Sequence, residues 1–527
     1  MGTWISLLRR KSAEPAATSR LPPELMQHIA TFLPDRTTFF AYLQAYSSSD
    51  DVIGAHLINL WRLGQLTTPI TGRSDALWPR LRVDSRPPQS SMPYLEAILK
   101  HYTAIPISGE FDLTWLDHIP ASALSPLHLY LRSSTVPKDV SKAVWSASWS
   151  KLPITLLDAT FFHSPTADAV LDTLPSLMHL ASLRVGLFIE ESRFLTQLHA
   201  LVQVLPNSKI TSLTVDCDSY YSLCPSPVHL TTPMFTHLTL WLKTRPVQHV
   251  SFSLWSFADV APAATSTFWD AISTCATLTS LSARDSVLAG LASHVFPTPL
   301  PMTTVALEGC SLSHPDVHAL CTGLTHSRLA TLKLTRLGFA FTGLDILAQW
   351  LPQAVHLCDL ELLSLPKDIE QLEALWTGLT QSHVTSLRLS GQKLLALAAT
   401  FLPRTPLTCL SIRDYQWRLH DGQEWRALAQ AVSRSSLTAL DVSCNNINDE
   451  HAAKLASGLD CNHRLAQLTL DQNYITAIGA MKLLHAMTAS AAASRRTLSL
   501  KLNEIHGRDR PNLLANAQGT PTRVALE

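Results

Sequence analysis

The residue types that could carry out bond chemistry are present in this chain but never gathered. Its 22 histidines are scattered, and none forms the HExxH pair that would put two imidazoles on one helical face around zinc. No GxxxxGK[ST] loop offers its amides to a phosphate, and no GxSxG or GxGxxG turn is spelled anywhere. Asp216-Cys217-Asp218 has the ligand types of a metal corner, but in phase with its surroundings it reads as a strand end and its turn. His163, His314 and His463 fall in turn or surface contexts. The nine cysteines run from Cys217 to Cys461 without a CxxC pair, which reads as small buried hydrophobes in a reducing compartment. The sequence predicts no enzyme, no metal and no cofactor.

One modification motif stands apart. Met1-Gly2-Thr3-Trp4-Ile5-Ser6 matches MGxxx[ST], in which Gly2 would carry a myristoyl chain. A single acyl chain holds a membrane only marginally, and Arg9, Arg10 and Lys11 would supply the electrostatic second signal. Gly2 is thus a candidate weak lipid anchor, with an unmodified flexible tail over 1–20 as the alternative.

Composition narrows the remaining functions. Lys plus Arg is 41 and Asp plus Glu is 41, so the formal charge is zero, which argues against bulk attraction to nucleic acid or anionic membrane. Charged residues are 16% and hydrophobic ones 46%, the balance of a chain that buries a large core. A length of 527 residues implies several domains or one repeat array. The longest apolar stretch, near Leu394–Leu402, is far short of the roughly 18 residues that span a bilayer. With no extended apolar segment at the N-terminus, the reading is a soluble protein of the cytoplasm or nucleus.

The elements that would position a binding surface come from repetition. Leu437-x-x-Leu440-x-Val442-x-x-Asn445 and Leu465-x-x-Leu468-x-Leu470-x-x-Asn473 share the frame LxxLxLxxN, and Leu498-Ser-Leu500-Lys-Leu-Asn503 lacks only its first leucine, replaced by Arg495. The frame runs back through Leu124, Leu152, Leu180, Ile210, Phe235, Leu278, Met302, Leu329, Leu357, Val384 and Leu407. The mean interval is about 28.5 residues, close to the 20–29 typical of leucine-rich repeats. The long gap from Phe235 to Leu278 implies an irregular unit. LxL alternation predicts a short strand with its leucines inward, and the terminal Asn suits a turn where its side chain satisfies backbone groups. Cys310 stands at that position in the unit beginning at Met302.

A helix follows each strand. Ile447, Ala452, Leu455 and Leu459, then Ile475, Gly479, Ala480, Leu483 and Met487, then Leu312, Val317, Leu320 and Leu324 fall on helical stripes. The prolines of Leu205-Pro206, Leu351-Pro352 and Leu402-Pro403 mark where helices must stop. Asn473–Met487 resembles the ribonuclease-inhibitor type of leucine-rich repeat, NxIxxxGAxxLxxxL, with His451 replacing the glycine in the preceding copy. The resemblance implies an α/β solenoid, a horseshoe of about 14 degenerate repeats over 124–510 with strands on the concave face. Residues 64–123 read as linker and N-terminal cap, with a helix near Tyr94–Tyr102, and 511–527 as a C-terminal tail.

Ahead of the repeats, Leu21-Pro22-Pro23-Glu24-Leu25-Met26-Gln27-His28-Ile29-Ala30-Thr31-Phe32-Leu33 resembles the opening of an F-box, LPxELLxxIxxFL. Phe39, Phe40 and Leu43 begin a second amphipathic segment, and Ser47-Ser48-Ser49-Asp50-Asp51 intervenes before Trp61, where the family has a shorter Ser-x-x-Trp element. The resemblance implies a small all-α module over 21–63 that docks on the Skp1-like adaptor of a cullin ubiquitin ligase, with Leu21, Pro22, Leu25, Ile29 and Leu33 in its packing or docking face. A helical cap shielding the first repeat is the alternative.

In phase, Lys333, Glu361, Arg388, Ser411, Arg413, Asp441, Asp471 and Lys501 are exposed strand positions on the concave face. Mixed signs among Ser and Thr suit a protein partner over a polyanion. Together these resemblances imply a substrate-recognition adaptor of an SCF-type E3 ubiquitin ligase. Two alternatives stay open: a GTPase-activating or GTPase-binding protein similar to the activator of Ran, and a non-catalytic interaction scaffold.

Overall fold

The computed structural model describes residues 33, 36–46, 55–66, 81, 83, 87–99, 102–110, 113, 115–116, 119–120, 124, 128–135, 149–160, 164–188, 193–218, 226–336, 343–365, 368–391, 393–414, 422–459, 464–489, 496–518 and 520–526. The chain divides into two units, Met1–Thr160 with Ser176–Leu180, and Phe161–Pro175 with Ala181–Glu527.

In the first unit the helices Arg36–Tyr46, Ala55–Leu66 and Met92–Leu99 precede three strands, β1 (Ala104–Glu110), β2 (His128–Thr135) and β3 (Ile154–Thr160). The segment opening at Phe39 is helical, as its spacing predicts, and Phe39 and Leu43 are buried together with Leu57, Leu60 and Leu63 of the next helix. At Gly64 the two helices pack closely: an added Cβ would collide with the Phe40 ring. The three strands are parallel, with Ile105 opposite Leu129 and Leu131 opposite Leu157.

In the second unit the strands are β4 (Ser182–Phe188), β5 (Ser212–Asp218), β6 (Val228–His229), β7 (His249–Ser253), β8 (Trp255–Ser256), β9 (Ser280–Arg284), β10 (Thr304–Glu308), β11 (Thr331–Thr335), β12 (Asp359–Leu362), β13 (Ser386–Gly391), β14 (Cys409–Asp414), β15 (Ala439–Asp441), β16 (Gln467–Thr469), β17 (Arg496–Ser499) and β18 (Thr522–Ala525). All but β6 and β8 lie in sequence order in a parallel sheet. The register aligns equal motif positions: Leu332, Leu360, Leu387, Leu410, Leu440, Leu468 and Leu498 stand side by side. Each is buried, and the intervening residues are half-exposed, so one sheet face meets the helices and the other meets solvent. Every apolar residue of the three helical stripes is buried, from Leu312 to Met487. The helices ending at Val204, Trp350 and Phe401 each tighten into a 3-10 turn containing the proline, Leu205–Asn207, Leu351–Gln353 and Leu402–Arg404, which lets the chain reverse toward the next strand.

Three expectations are revised. Phe235 does not open a strand: it lies inside the helix Thr232–Thr244, with its ring 4.7 Å from Phe257 and 4.9 Å from Phe268. The unit instead begins at Val247, whose partners Val250 and Phe252 are buried strand residues. Phe235-x-x-Leu238-x-Leu240 spells the strand frame, but Leu240 is exposed and Phe235, Leu238, Trp241 and Leu242 follow the helical period. The long unit is therefore the one from Ile210 to Val247, which also holds β6. Strand pairing extends past both expected limits of the array, because β1 lies in the segment read as linker and cap and β18 in the segment read as tail. Neither carries the leucine frame, and β1 contains Pro106, a residue that argues against a strand.

A turn with a fixed conformation follows most strands. Leu254, Asp285, Gly309, Arg336, Ser364, Cys444, Gln472 and Leu502 each stand seven residues after the start of their unit, and all have φ between 50° and 63°. Only one is glycine, so seven side chains accept a backbone region that disfavours them by about 1 kcal/mol each. Repetition explains their persistence. The amide at this position donates to the next unit's carbonyl, as in Asp285 to Glu308 (2.6 Å), Gly309 to Thr335 (2.7 Å), Cys444 to Asp471 (3.0 Å) and Gln472 to Lys501 (2.8 Å). The ladder thus continues past the strands, where these amides keep partners.

Candidate partner-binding face

The solvent face of the sheet is organised in rows by the parallel register. Lys333, Glu361, Arg388, Ser411 and Asp441 form one row across β11 to β15. Arg413 lies two residues further along β14, opposite Ser390. Asp471 and Lys501 follow the last paired residues of β16 and β17, Thr469 and Ser499. The seven charged positions expected from sequence therefore fall in two neighbouring rows. Toward β5, the first row changes character to Thr214, Ser251, Ser282 and Ala306, small and uncharged.

The turn beneath the second row is held by asparagines. Asn473 Nδ2 donates to Leu470 O (2.9 Å) and Val442 O (3.2 Å), while its Oδ1 accepts from the amides of Asn445 and Ile447, both at 3.0 Å. Asn445 repeats the donor half toward Ile412 O (2.8 Å), and Asn503 toward Leu470 O (2.8 Å). One side chain so fixes two units. Cys310 fills the same position and keeps the donor half, its Sγ reaching Ala283 O (3.5 Å) and Glu308 O (3.7 Å). Ser286 keeps the acceptor half, taking the Trp255 amide at 3.1 Å. Burial pushes the Cys310 thiol up to about 11, against the lowering effect of its backbone hydrogen bonds.

Charges on the face are mostly paired. Glu361 meets Lys333 Nζ at 3.2 Å and Arg388 Nη1 at 3.8 Å. Asp216 meets Arg184 at 2.9 Å and Arg284 at 3.4 Å, which accounts for one carboxylate of the imagined metal corner, and Cys217 is buried on the opposite face. Arg336 reaches Glu308 (3.5 Å) and forms a second ion pair with Asp285. That second pair joins units on either side of Gly309, where a Cβ would strike the Asp285 carboxylate. Asp441 accepts from Ser411 Oγ (3.1 Å), Ser443 N (3.0 Å) and Ser443 Oγ (2.5 Å). Asp471 accepts from Ser499 Oγ (2.7 Å) and Lys501 N (2.8 Å). The serines are the part of this surface that charge-based reading overlooks. The signal was there in Asp441-Val-Ser443, a carboxylate placed to accept from the amide two residues on.

Among the described residues no group of His, Cys, Asp and Glu is placed to hold a metal ion, and no helix is long and apolar enough to cross a membrane. His314 begins a helix and lies 3.3 Å from Asp345. His163, His463, Gly2, Arg9, Arg10 and Lys11 lie outside the described residues, as do Leu21, Pro22, Leu25 and Ile29; Leu33 is described and half-buried.

No protein-family model matches the chain, and no curated protein matches it. Among solved structures it is similar to an internalin (inlF) from Listeria monocytogenes str. 4b F2365, at 14% identity over 82% of this chain and 88% of that one, TM-score 0.28. It is also similar to the chain in a TLR13-ssRNA13 complex, at 14% identity over 82% of this chain and 66% of that one, TM-score 0.30. The leucine-rich-repeat architecture is carried by the chain's own motif, register and helices.

Proposed function

We propose that the protein is a substrate-recognition adaptor of an SCF-type ubiquitin ligase. Its N-terminal helical module would dock on a Skp1-like adaptor of a cullin complex, and its repeats would hold a target protein on the strand face. The single observation that carries this reading is the succession, in one chain, of a helical module and in-register strand–helix repeats. In this reading the helices Arg36–Tyr46 and Ala55–Leu66 would be the second and third elements of the F-box, with Trp61 on the third. The repeats are of the ribonuclease-inhibitor type in this reading, supported by helices of 11 and 13 residues in the last regular units, Asp449–Leu459 and Ala477–Ala489. Such a protein works in the cytoplasm or nucleus by raising the local concentration of a target near a charged ubiquitin carrier, and makes or breaks no bond itself.

The test is capture of the host's Skp1-like protein by the full chain. The expected result is binding that is lost in Leu25→Asp/Ile29→Asp while the repeats stay folded by circular dichroism. Absence of capture by the folded wild-type chain would overturn the ligase reading and leave an interaction scaffold.

A further inference from the structure

From β11 to β17 the strand face treats acids and bases differently. Glu361 keeps only 14% of its side chain exposed, because Lys333 and Arg388 close on the same carboxylate oxygen from neighbouring strands. Asp359 accepts from Ser386 Oγ at 2.8 Å, and Asp441 and Asp471 are occupied by serine hydroxyls and backbone amides. The bases point outward. Arg388 is 56% exposed and Lys333 40%, and Arg413 is exposed with no ion pair among the described residues. The carboxylates spend their lone pairs inside the sheet, whereas the guanidinium groups keep unused N–H donors. Across these strands the outward charge is therefore mostly basic.

The imbalance is concentrated over β11 to β14, where Lys333, Arg388 and Arg413 face two acids that are already engaged, Asp359 by Ser386 and Glu361 by Lys333 and Arg388. These cations are spread across four strands, about 14 Å at the usual strand spacing. That span suits several carboxylates along an extended segment better than one compact phosphate group. We propose that this patch receives an acidic segment of the protein partner, with Asp or Glu side chains taking hydrogen bonds from Arg388, Arg413 and Lys333. This inference rests on the strand face being the partner-binding face. Glu361 holds two of the cations in place and competes with the incoming carboxylates.

The experiment is fluorescence anisotropy on the full-length protein with labelled twelve-residue peptides. One alternates Glu and Ser, one alternates Gln and Ser, and one carries phosphoserine; a single-stranded RNA of similar length is a fourth probe. The Glu–Ser peptide is expected to bind and the Gln–Ser peptide not, with binding weakened by added salt. Arg388→Gln/Arg413→Gln is expected to weaken it roughly tenfold. Glu361→Gln is expected to strengthen it, a gain that a merely structural role for Glu361 would not give. Equal binding of the Gln–Ser peptide, indifference to the double substitution, or tighter binding of RNA or phosphopeptide lost in the same variants would overturn the proposal. Ser411→Trp, which covers the row beside Arg388, separates the two levels. If it abolishes binding of a neutral peptide, the partner face stands and the acidic preference falls. If Glu–Ser binding survives it, both fall.

Discussion

Asn473 and Cys310 occupy the same place in their units, and they show how one backbone demand is met by unequal side chains. Asn473 serves two amides and three carbonyls, most of them buried, whereas Cys310 offers only a weak S–H donor. Asn473→Ala should therefore cost about 3 kcal/mol in urea unfolding, and Cys310→Ala about 1 kcal/mol; equal losses would contradict the hydrogen-bond account. Burial pushes the thiols of Cys310 and Cys321 up, to about 11 and about 12, while Cys358 is exposed. Native-state alkylation at neutral pH should accordingly mark Cys358 and spare the other two, since only a thiolate reacts and access is required. At Gly309, φ is +63° and the Asp285–Arg336 pair passes over the missing side chain. Gly309→Ala is expected to lower stability by about 1–2 kcal/mol through strain, and to remove the salt sensitivity that the ion pair contributes. The Asn position was legible in sequence because its period is visible. Of the serines that hold Asp441 and Asp471, Ser411 was placed on the face by its phase and Ser443 by its offset from Asp441, whereas Ser499 was not, because serine at a surface position carries no pattern of its own.

Elements in this protein are set by close approach as much as by leucine spacing. The helix Asp449–Leu459 meets the preceding helix, Gly422–Arg434, at Gly458, where a Cβ would run into Ala429. Gly458→Val should force the two helices apart and cost about 2 kcal/mol of stability, read as a lower Tm with unchanged helix content. The segment after β9 adds a titrating group to the helix Pro262–Thr274. His294 is nearly buried there, against Phe296 (4.8 Å), with Ser266 Oγ at 3.5 Å and Asp270 at 3.6 Å. Loss of hydration lowers its pKa, and Asp270 opposes this only in part. The unfolded chain then binds the proton more readily, so stability present above about pH 6.5 is lost as pH falls through the folded-state value. Desolvation of His249 acts in the same direction. His294→Gln should flatten the unfolding free energy below pH 6.5; an unchanged slope would exclude His294 as its source. Strand and helix types were readable wherever the two periods differ. Phe235-x-x-Leu238-x-Leu240 satisfies both over six residues, and only the exposure of Leu240 separates them.

Across the second unit, leucines at fixed offsets pack against their counterparts one unit away, which is why so degenerate a sequence still reveals its period. Repetition speaks to the interior and is silent about the ends. β18 has no leucine frame, yet its Ala525 carbonyl takes the Leu500 amide at 2.8 Å and its Thr522 stands opposite Arg496. Removing residues 511–527 should leave β17 with an open edge and speed hydrogen exchange at 496–500 while sparing β9 to β12; uniform acceleration would mean that the stack unfolds as one block. The charged surface was legible as a set of positions, all of which the register places on the solvent face. Its sign was not, since a count of acids and bases ignores which of them a neighbouring hydroxyl consumes.

The ion pair that passes over Gly309 also bears on how the molecule would yield to force. A stack held only by adjacent contacts peels one unit at a time when pulled from its ends. Asp285 and Arg336 belong to units that are not neighbours, so the unit between them cannot leave while the pair holds. In an optical trap that stretch would release as a single step of three units, roughly 270 Å of extended chain, and raising the salt concentration would split the step into smaller ones.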